Sequence, residues 1–207
     1  MIVIVDYKAG NLTSVRLALE HLKVEAKVTQ NQADILAADR VIFPGVGAAG
    51  AAMKSLNELN LVDTIRTVVA RGTPFLGICL GTQVIFEYSE EDGGTPCIGL
   101  IPGKVRKFQP KDPACKIPQI GWNEVKFTRG HPLFAGIEDE SEFYFVHSYY
   151  PVPTEADYVL ATTEYADVRF ASIVGRDNLV ATQFHPERSG RIGLRLLRNF
   201  CDWDGTC

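Results

Sequence analysis

Cys79 stands between two glycines in the run Gly77-Ile78-Cys79-Leu80-Gly81, behind an apolar stretch that reads as a buried strand and ahead of a segment, Thr82 to Tyr88, that reads as the start of a helix. This is the nucleophile-elbow pattern with cysteine in the place of serine. The glycines are explained by a sharp strand-to-helix turn, where neighbouring backbones come too close for a Cβ. Such a turn is expected to leave the sulfur exposed above the sheet. A helix N-terminus beside a thiol also favours the thiolate. The alternative is a structural cysteine packed in a strand.

A cysteine nucleophile needs a general base, and the base needs a group to orient it. The chain has four histidines, His21, His131, His147 and His185. His21 falls inside a helical pattern and His131 opens a His-Pro turn, so both are expected at the surface. Residues i and i+2 of an extended backbone share a side. His185 therefore faces the same way as Glu187, across Pro186, whereas His147 has Phe145 and Tyr149 at those positions. A carboxylate on one ring nitrogen fixes the tautomer and frees the other nitrogen for the thiol proton. Cys79, His185 and Glu187 are thus the expected triad. The oxyanion donors are expected to be the Leu80 N–H and an N–H from Val46 or Gly47.

The elements that must position these groups alternate in type. Ile2 to Val5 is a short, wholly apolar run of the kind found in central parallel strands. A helical pattern follows, with Val15, Ala18, Leu19 and Leu22 in phase and Thr13 or Ser14 as its cap. Glu25 to Thr29 and Val41 to Phe43 read as the next strands. This alternation predicts an α/β fold with a doubly wound, mainly parallel sheet flanked by helices, whose ligand sites lie at the carboxyl ends of the strands. From Ser89 to Pro118 the acidic run Glu90-Glu91-Asp92, a Gly93-Gly94 break and prolines 96, 102, 110 and 113 suggest inserted loops and short strands. The acidic run is expected to be a solvated face. Strand-like runs at Ile120–Thr128, Phe143–Tyr149, Tyr158–Thr163, Phe170–Gly175 and Leu179–Phe184 make the second half strand-rich and partly antiparallel. A last helix, from about Ser189 to Cys201, carries an apolar stripe and a row of arginines, Arg188, Arg191, Arg195 and Arg198.

The totals narrow the function further. A chain of 207 residues with 46% hydrophobic and 22% charged residues suits one α/β domain, 1–207. A net charge of −4 lacks the basic footprint of a nucleic-acid binder. The cysteines, Cys79, Cys97, Cys115, Cys201 and Cys207, are odd in number and never spaced Cys-x-x-Cys, which points away from a metal site or disulfide framework and toward a reducing compartment. With no membrane-length apolar run and no leader pattern, a cytoplasmic protein is expected. Two glycine-rich stretches are decoys. Gly45 to Gly50 fits Gly-x-Gly-x-x-Gly but follows a later strand and lacks the acid about twenty residues on; Gly99 to Lys104 misses the phosphate-loop spacing. No cofactor is expected.

Pro-Gly-Val-Gly at 44–47, Gly-Ile-Cys-Leu-Gly-Thr-Gln at 77–83 and Gln-Phe-His-Pro-Glu at 183–187 resemble the three signatures of class I, triad-type glutamine amidotransferases. Asp6 with Gly10-Asn11-Leu12, Gly121-Trp122-Asn123 and Tyr144 to Tyr149 narrow the resemblance to the glutaminase subunits of imidazole glycerol phosphate synthase. It runs from Ile2 to about Phe200. The resemblance implies hydrolysis of glutamine to glutamate and ammonia, with Gly47, Gln83, Ser148 and Tyr149 holding glutamine and His147 as part of that wall. It also implies that Asn11, Trp122, Asn123, Tyr144 and Arg188 face a (β/α)8-barrel cyclase partner, which takes the ammonia to make imidazole glycerol phosphate and AICAR from PRFAR in histidine biosynthesis. Gln119, where the family commonly has histidine, and Lys8 depart from the pattern and are expected toward the partner side. The rival readings are a paralogue feeding a sugar-modifying synthase, a cysteine peptidase or γ-glutamyl hydrolase on the same scaffold, and a binding scaffold without catalysis.

Overall fold

The structure, a computed structural model, describes residues 1–8, 10–112 and 114–206; Pro113 and Cys207 lie outside the described residues. In chain order it runs β1 (Ile2–Val5), α1 (Leu12–His21), β2 (Ala26–Thr29), α2 (Gln32–Leu36), β3 (Arg40–Gly45), α3 (Ala49–Glu58), α4 (Leu61–Ala70), β4 (Phe75–Cys79) and α5 (Leu80–Val84). The second half holds β5 (Tyr88–Ser89), β6 (Thr95–Pro96), β7 (Gly103–Lys107), β8 (Gln119–Phe127), β9 (Ser141–His147), β10 (Tyr149–Pro153), β11 (Val159–Tyr165), β12 (Val168–Arg176), β13 (Leu179–Thr182) and α6 (Gly190–Asp202).

One 9-stranded sheet has the order β2-β1-β3-β4-β13-β12-β11-β8-β9. From β2 to β13 the neighbours are parallel, and from β13 to β9 they are antiparallel. Alternation along the strands sorts the core into two layers. Ile2 and Ile4, with Ile42, Leu76 and Ile78, pack toward α1 and α6. Val3 and Val5, with Val41, Phe43 and Phe75, pack toward α2, α3, α4 and α5. The sheet is therefore covered on both faces, which is why β1, β3 and β4 read as unbroken apolar runs. Cys79 ends β4, and His185 lies just past the end of β13, its parallel neighbour. Adjacent strands running the same way thus deliver nucleophile and candidate base to one edge of the sheet.

Several expectations change in detail. The run Phe143–Tyr149 breaks at Ser148: β9 closes the large sheet, while β10 joins a separate 4-stranded sheet, β10-β7-β5-β6, built from the inserted segment. The helix expected over Thr82–Tyr88 begins earlier and stops at Val84, because Tyr88 and Ser89 are taken up as β5. The cap of α1 is Asn11, in the left-handed region at φ 71, and not Thr13 or Ser14. His131 is not a plain surface residue: it is half-buried against Phe134 and Trp203, and its Nδ1 accepts from the Leu133 N–H. The arginine row is not all solvated, since the Arg198 guanidinium donates to the Leu22 carbonyl at the end of α1. Among the described residues no helix is long and apolar enough to cross a membrane.

Candidate active site

The backbone at Cys79 has φ 54 and ψ −106, a conformation that costs a non-glycine residue roughly 1–3 kcal/mol and persists only where the surroundings enforce it. Both flanking glycines enforce it. A Cβ on Gly77 would lie 2.8 Å from the Ala181 Cβ, and one on Gly81 would lie 1.9 Å from the Phe43 carbonyl oxygen. Gly45 is fixed in the same way, its Cβ position being filled by the buried Tyr7 hydroxyl, which has no hydrogen-bond partner among the described residues. The elbow is thus wedged against β3 and β13. It does not lift the sulfur clear of the sheet: Cys79 is only 6% exposed, at the wall of a cavity of about 400 Å³.

His185 and Glu187 are joined just past the end of β13. His185 Nδ1 and Glu187 Oε1 are 2.8 Å apart, with side-chain exposures of 1% and 0%. The pairing is the expected one but its geometry is not, because Pro186–Arg188 forms a 3-10 turn that brings the carboxylate back to the ring's Nδ1 edge. Asn11 Nδ2 also donates to Glu187 Oε1, at 2.6 Å, so the loop before α1 helps hold the orienting carboxylate. Among the described residues His185 Nε2 makes no hydrogen bond of good geometry, as is common in unliganded catalytic sites. Burial would push the pKa of this ring down. The charge of the nearby Cys79 sulfur, and then Glu187, outweigh burial and raise it to about 10. These neighbours favour the imidazolium, the form that can give a proton to a leaving group.

His147 behaves in the opposite way. Its Nδ1 donates to the Tyr149 carbonyl at 2.7 Å, and its Nε2 lies 3.0 Å from the Gln119 side-chain amide, from whose N–H a neutral ring can accept, so the ring is tied down on both sides. Burial lowers its pKa to about 4, with partial compensation from the Tyr149 hydrogen bond. It is a neutral wall residue and not a competing base. A histidine that titrates lower folded than unfolded adds stability above its unfolded pKa of about 6.5, and loses it as pH falls toward 4. Urea unfolding should accordingly show a loss on the order of 3 kcal/mol from this group between pH 7 and pH 4. His147→Asn should flatten that part of the profile.

The rest of the cavity wall brings together most of the expected substrate residues. Val46, Gly47, Leu80, Gln83, Ser148 and Tyr149 line it with Cys79 and His147. Gly47, at φ 99, has open space around its Cβ position, so only a glycine takes that backbone without strain while leaving the wall clear. Three of the expected surface residues form one patch at the rim: Trp122, 54% exposed, meets Tyr144 edge-on at 6.1 Å, and the Arg188 guanidinium lies 5.0 Å above the Tyr144 ring. Asn123 instead spends its amide on Glu164 and its oxygen on the Glu124 N–H.

Two corrections concern polar residues. Gln119 was expected toward a partner but is 3% exposed, braced behind His147. The acidic run is not simply a solvated face. Glu90 pairs with Lys104 and Arg106, and Glu91 lines the cavity, its Oε2 accepting from the Ala49 N–H at 2.6 Å. Burial raises the Glu91 pKa, the Ala49 hydrogen bond opposing it. Nothing local in the sequence points to Glu91, because the inserted sheet is what carries it to the site. Gln183 was also missed. Its Nε2 lies 3.9 Å from the Cys79 sulfur, and its place two residues before His185 is the signal that could have found it.

Comparison with known proteins gives the family. The glutamine amidotransferase class-I family model matches residues 3–203. The imidazole glycerol phosphate synthase subunit HisH of Nitrosococcus oceani is 48% identical over 207 residues, covering 99% of this chain and 98% of that protein. The HisH of Methanocaldococcus jannaschii is 48% identical over 202 residues, covering 98% and 99%. A solved glutamine amidotransferase superposes with a TM-score of 0.76 at 20% identity over the whole of both chains, a likeness of fold. The chain belongs to the class-I glutamine amidotransferase family and, within it, to the HisH subunits of imidazole glycerol phosphate synthase.

Proposed function

We propose that this chain hydrolyses glutamine at Cys79 and hands the ammonia to a synthase partner. The observation that carries the reading is Cys79 on the wall of the cavity that Val46, Gly47 and Leu80 also line, with the buried His185–Glu187 pair near enough to act on its sulfur. The thiolate attacks the side-chain amide carbon of glutamine. The carbonyl electron pair moves to oxygen, and the N–H groups of Leu80 and of Val46 or Gly47 hold that oxyanion. Collapse breaks the C–N bond while the His185 imidazolium protonates the departing nitrogen, which leaves as ammonia. Water, giving its proton to His185, then attacks the thioester carbonyl; a second collapse expels the Cys79 thiolate and frees glutamate. Glu91 and Gln83 receive the substrate ammonium, and Gly47, Ser148 and Tyr149 hold the remainder of the amino-acid head.

The partner in this reading is a (β/α)8-barrel cyclase that binds PRFAR and turns it into imidazole glycerol phosphate and AICAR. Ile120, 63% exposed, extends the rim patch of Trp122, Tyr144 and Arg188 with further apolar surface of the kind a partner covers. Asn11 links the loop beside that rim to Glu187, so docking can bear on the triad through one hydrogen bond. Hydrolysis without an acceptor would waste glutamine, and the two sites are therefore coupled. Glutamine turnover should rise about 100-fold when the cyclase and its nucleotide ligand are added. Equal turnover by the isolated chain would remove the coupling from the account, and co-purification with a sugar-modifying synthase would redirect it.

A further inference from the structure

Gln183 is wholly buried, and its backbone cannot wander. Its N–H donates to the Ser172 carbonyl at 2.9 Å, and its neighbour Thr182 is held by the Thr82 hydroxyl, which donates to the Thr182 carbonyl at 2.6 Å. From this fixed base the side chain joins two other groups of the site. Gln83 Nε2 donates to Gln183 Oε1 at 3.1 Å and to the Tyr149 carbonyl at 3.1 Å, while Gln183 Nε2 lies 3.9 Å from the Cys79 sulfur. A primary amide has two N–H donors. Both of those on Gln83 are spent inside the protein, so what Gln83 offers the cavity is its oxygen.

We propose that Gln183 is a catalytic residue of this site, donating from its amide to the Cys79 sulfur and, through its oxygen, holding Gln83 so that Gln83 meets the substrate as an acceptor. The inference rests on the glutaminase reading and adds a role to it. A donor beside the sulfur favours the charged form of the thiol and of the leaving thiolate in the second step. A fixed acceptor at Gln83 selects a ligand with N–H groups to give and rejects one that presents only oxygens at that point.

Gln183→Met keeps the volume and removes both arms. In the variant, iodoacetamide alkylation of Cys79 at pH 7, followed by peptide mass mapping, should slow by about tenfold. The KM for glutamine in the cyclase complex should rise by about tenfold. A residue that only filled space would move neither value. In the unmodified chain, the Gln183 side-chain amide resonances should resist exchange with solvent and shift when Cys79 is alkylated, a reading that holds even if the variant does not fold. Alkylation and KM both within twofold of the parent, or amide resonances indifferent to alkylation, overturn the proposal. Failure of the parent chain itself to react at Cys79 faster than at Cys97 and Cys201 would instead strike at the glutaminase reading.

Discussion

Alanine at Cys79 is expected to lower glutamine hydrolysis by the cyclase complex by about 10⁴-fold or more, and asparagine at His185 to cost nearly as much. Cysteine supplies the only atom that can carry the acyl group, and the His185 imidazolium is the acid for the poor leaving group. Members of such a unit are grossly non-additive, so the double variant should be scarcely worse than either single one. His147→Asn should cost far less in kcat, because its neutral ring is bound to Tyr149 and Gln119 and does no proton transfer. Steady-state ammonia release by the four proteins, with melting curves and cyclase binding as controls, checks the ranking. A larger loss at His147 than at His185 would reverse the assignment of the base.

Gly81→Ala should be a severely destabilising single methyl. Its Cβ would sit 1.9 Å from the Phe43 carbonyl oxygen and 3.0 Å from the carbonyl carbon, and both belong to the backbone of the central strand β3. No rotamer change can relieve a clash with backbone, so either β3 or the elbow must move. A loss of about 4 kcal/mol or more, or no soluble protein, is expected. Gly47→Ala makes the contrast. Nothing lies within 4 Å of its Cβ, and only the strained φ of 99 opposes it, at roughly 1–2 kcal/mol. Thermal unfolding of the two variants side by side checks both figures, and equal losses would show that the elbow is not wedged as described.

The central strands and the elbow were legible because their causes are local. An apolar run buried on both faces, and a glycine where no Cβ fits, leave marks within a few residues. The His185–Glu187 pair was legible for a partly wrong reason: residues i and i+2 do meet, but through a 3-10 turn around Pro186 and not along an extended strand. What stayed hidden depends on distant segments. Strands as short as Tyr88–Ser89 and Thr95–Pro96 carry no periodicity, and so the sheet that brings Glu91 to the cavity could not be read. Gln119 looked like a departure at a surface because nothing near it in sequence announces that it backs His147. The burial of Cys79 follows from how β3 and β13 close over the elbow, and the sequence around residue 79 describes only the turn.

The central claim is that Cys79 alone takes the γ-glutamyl group. Treating the cyclase complex with a glutamine-derived diazoketone and mapping the modified peptide by mass spectrometry tests it most directly. A single adduct on Cys79, prevented by excess glutamine and absent from the Cys79→Ala protein, is the predicted result. An adduct confined to Cys97, Cys115 or Cys201, or continued glutamine turnover with Cys79 fully blocked, would contradict the account.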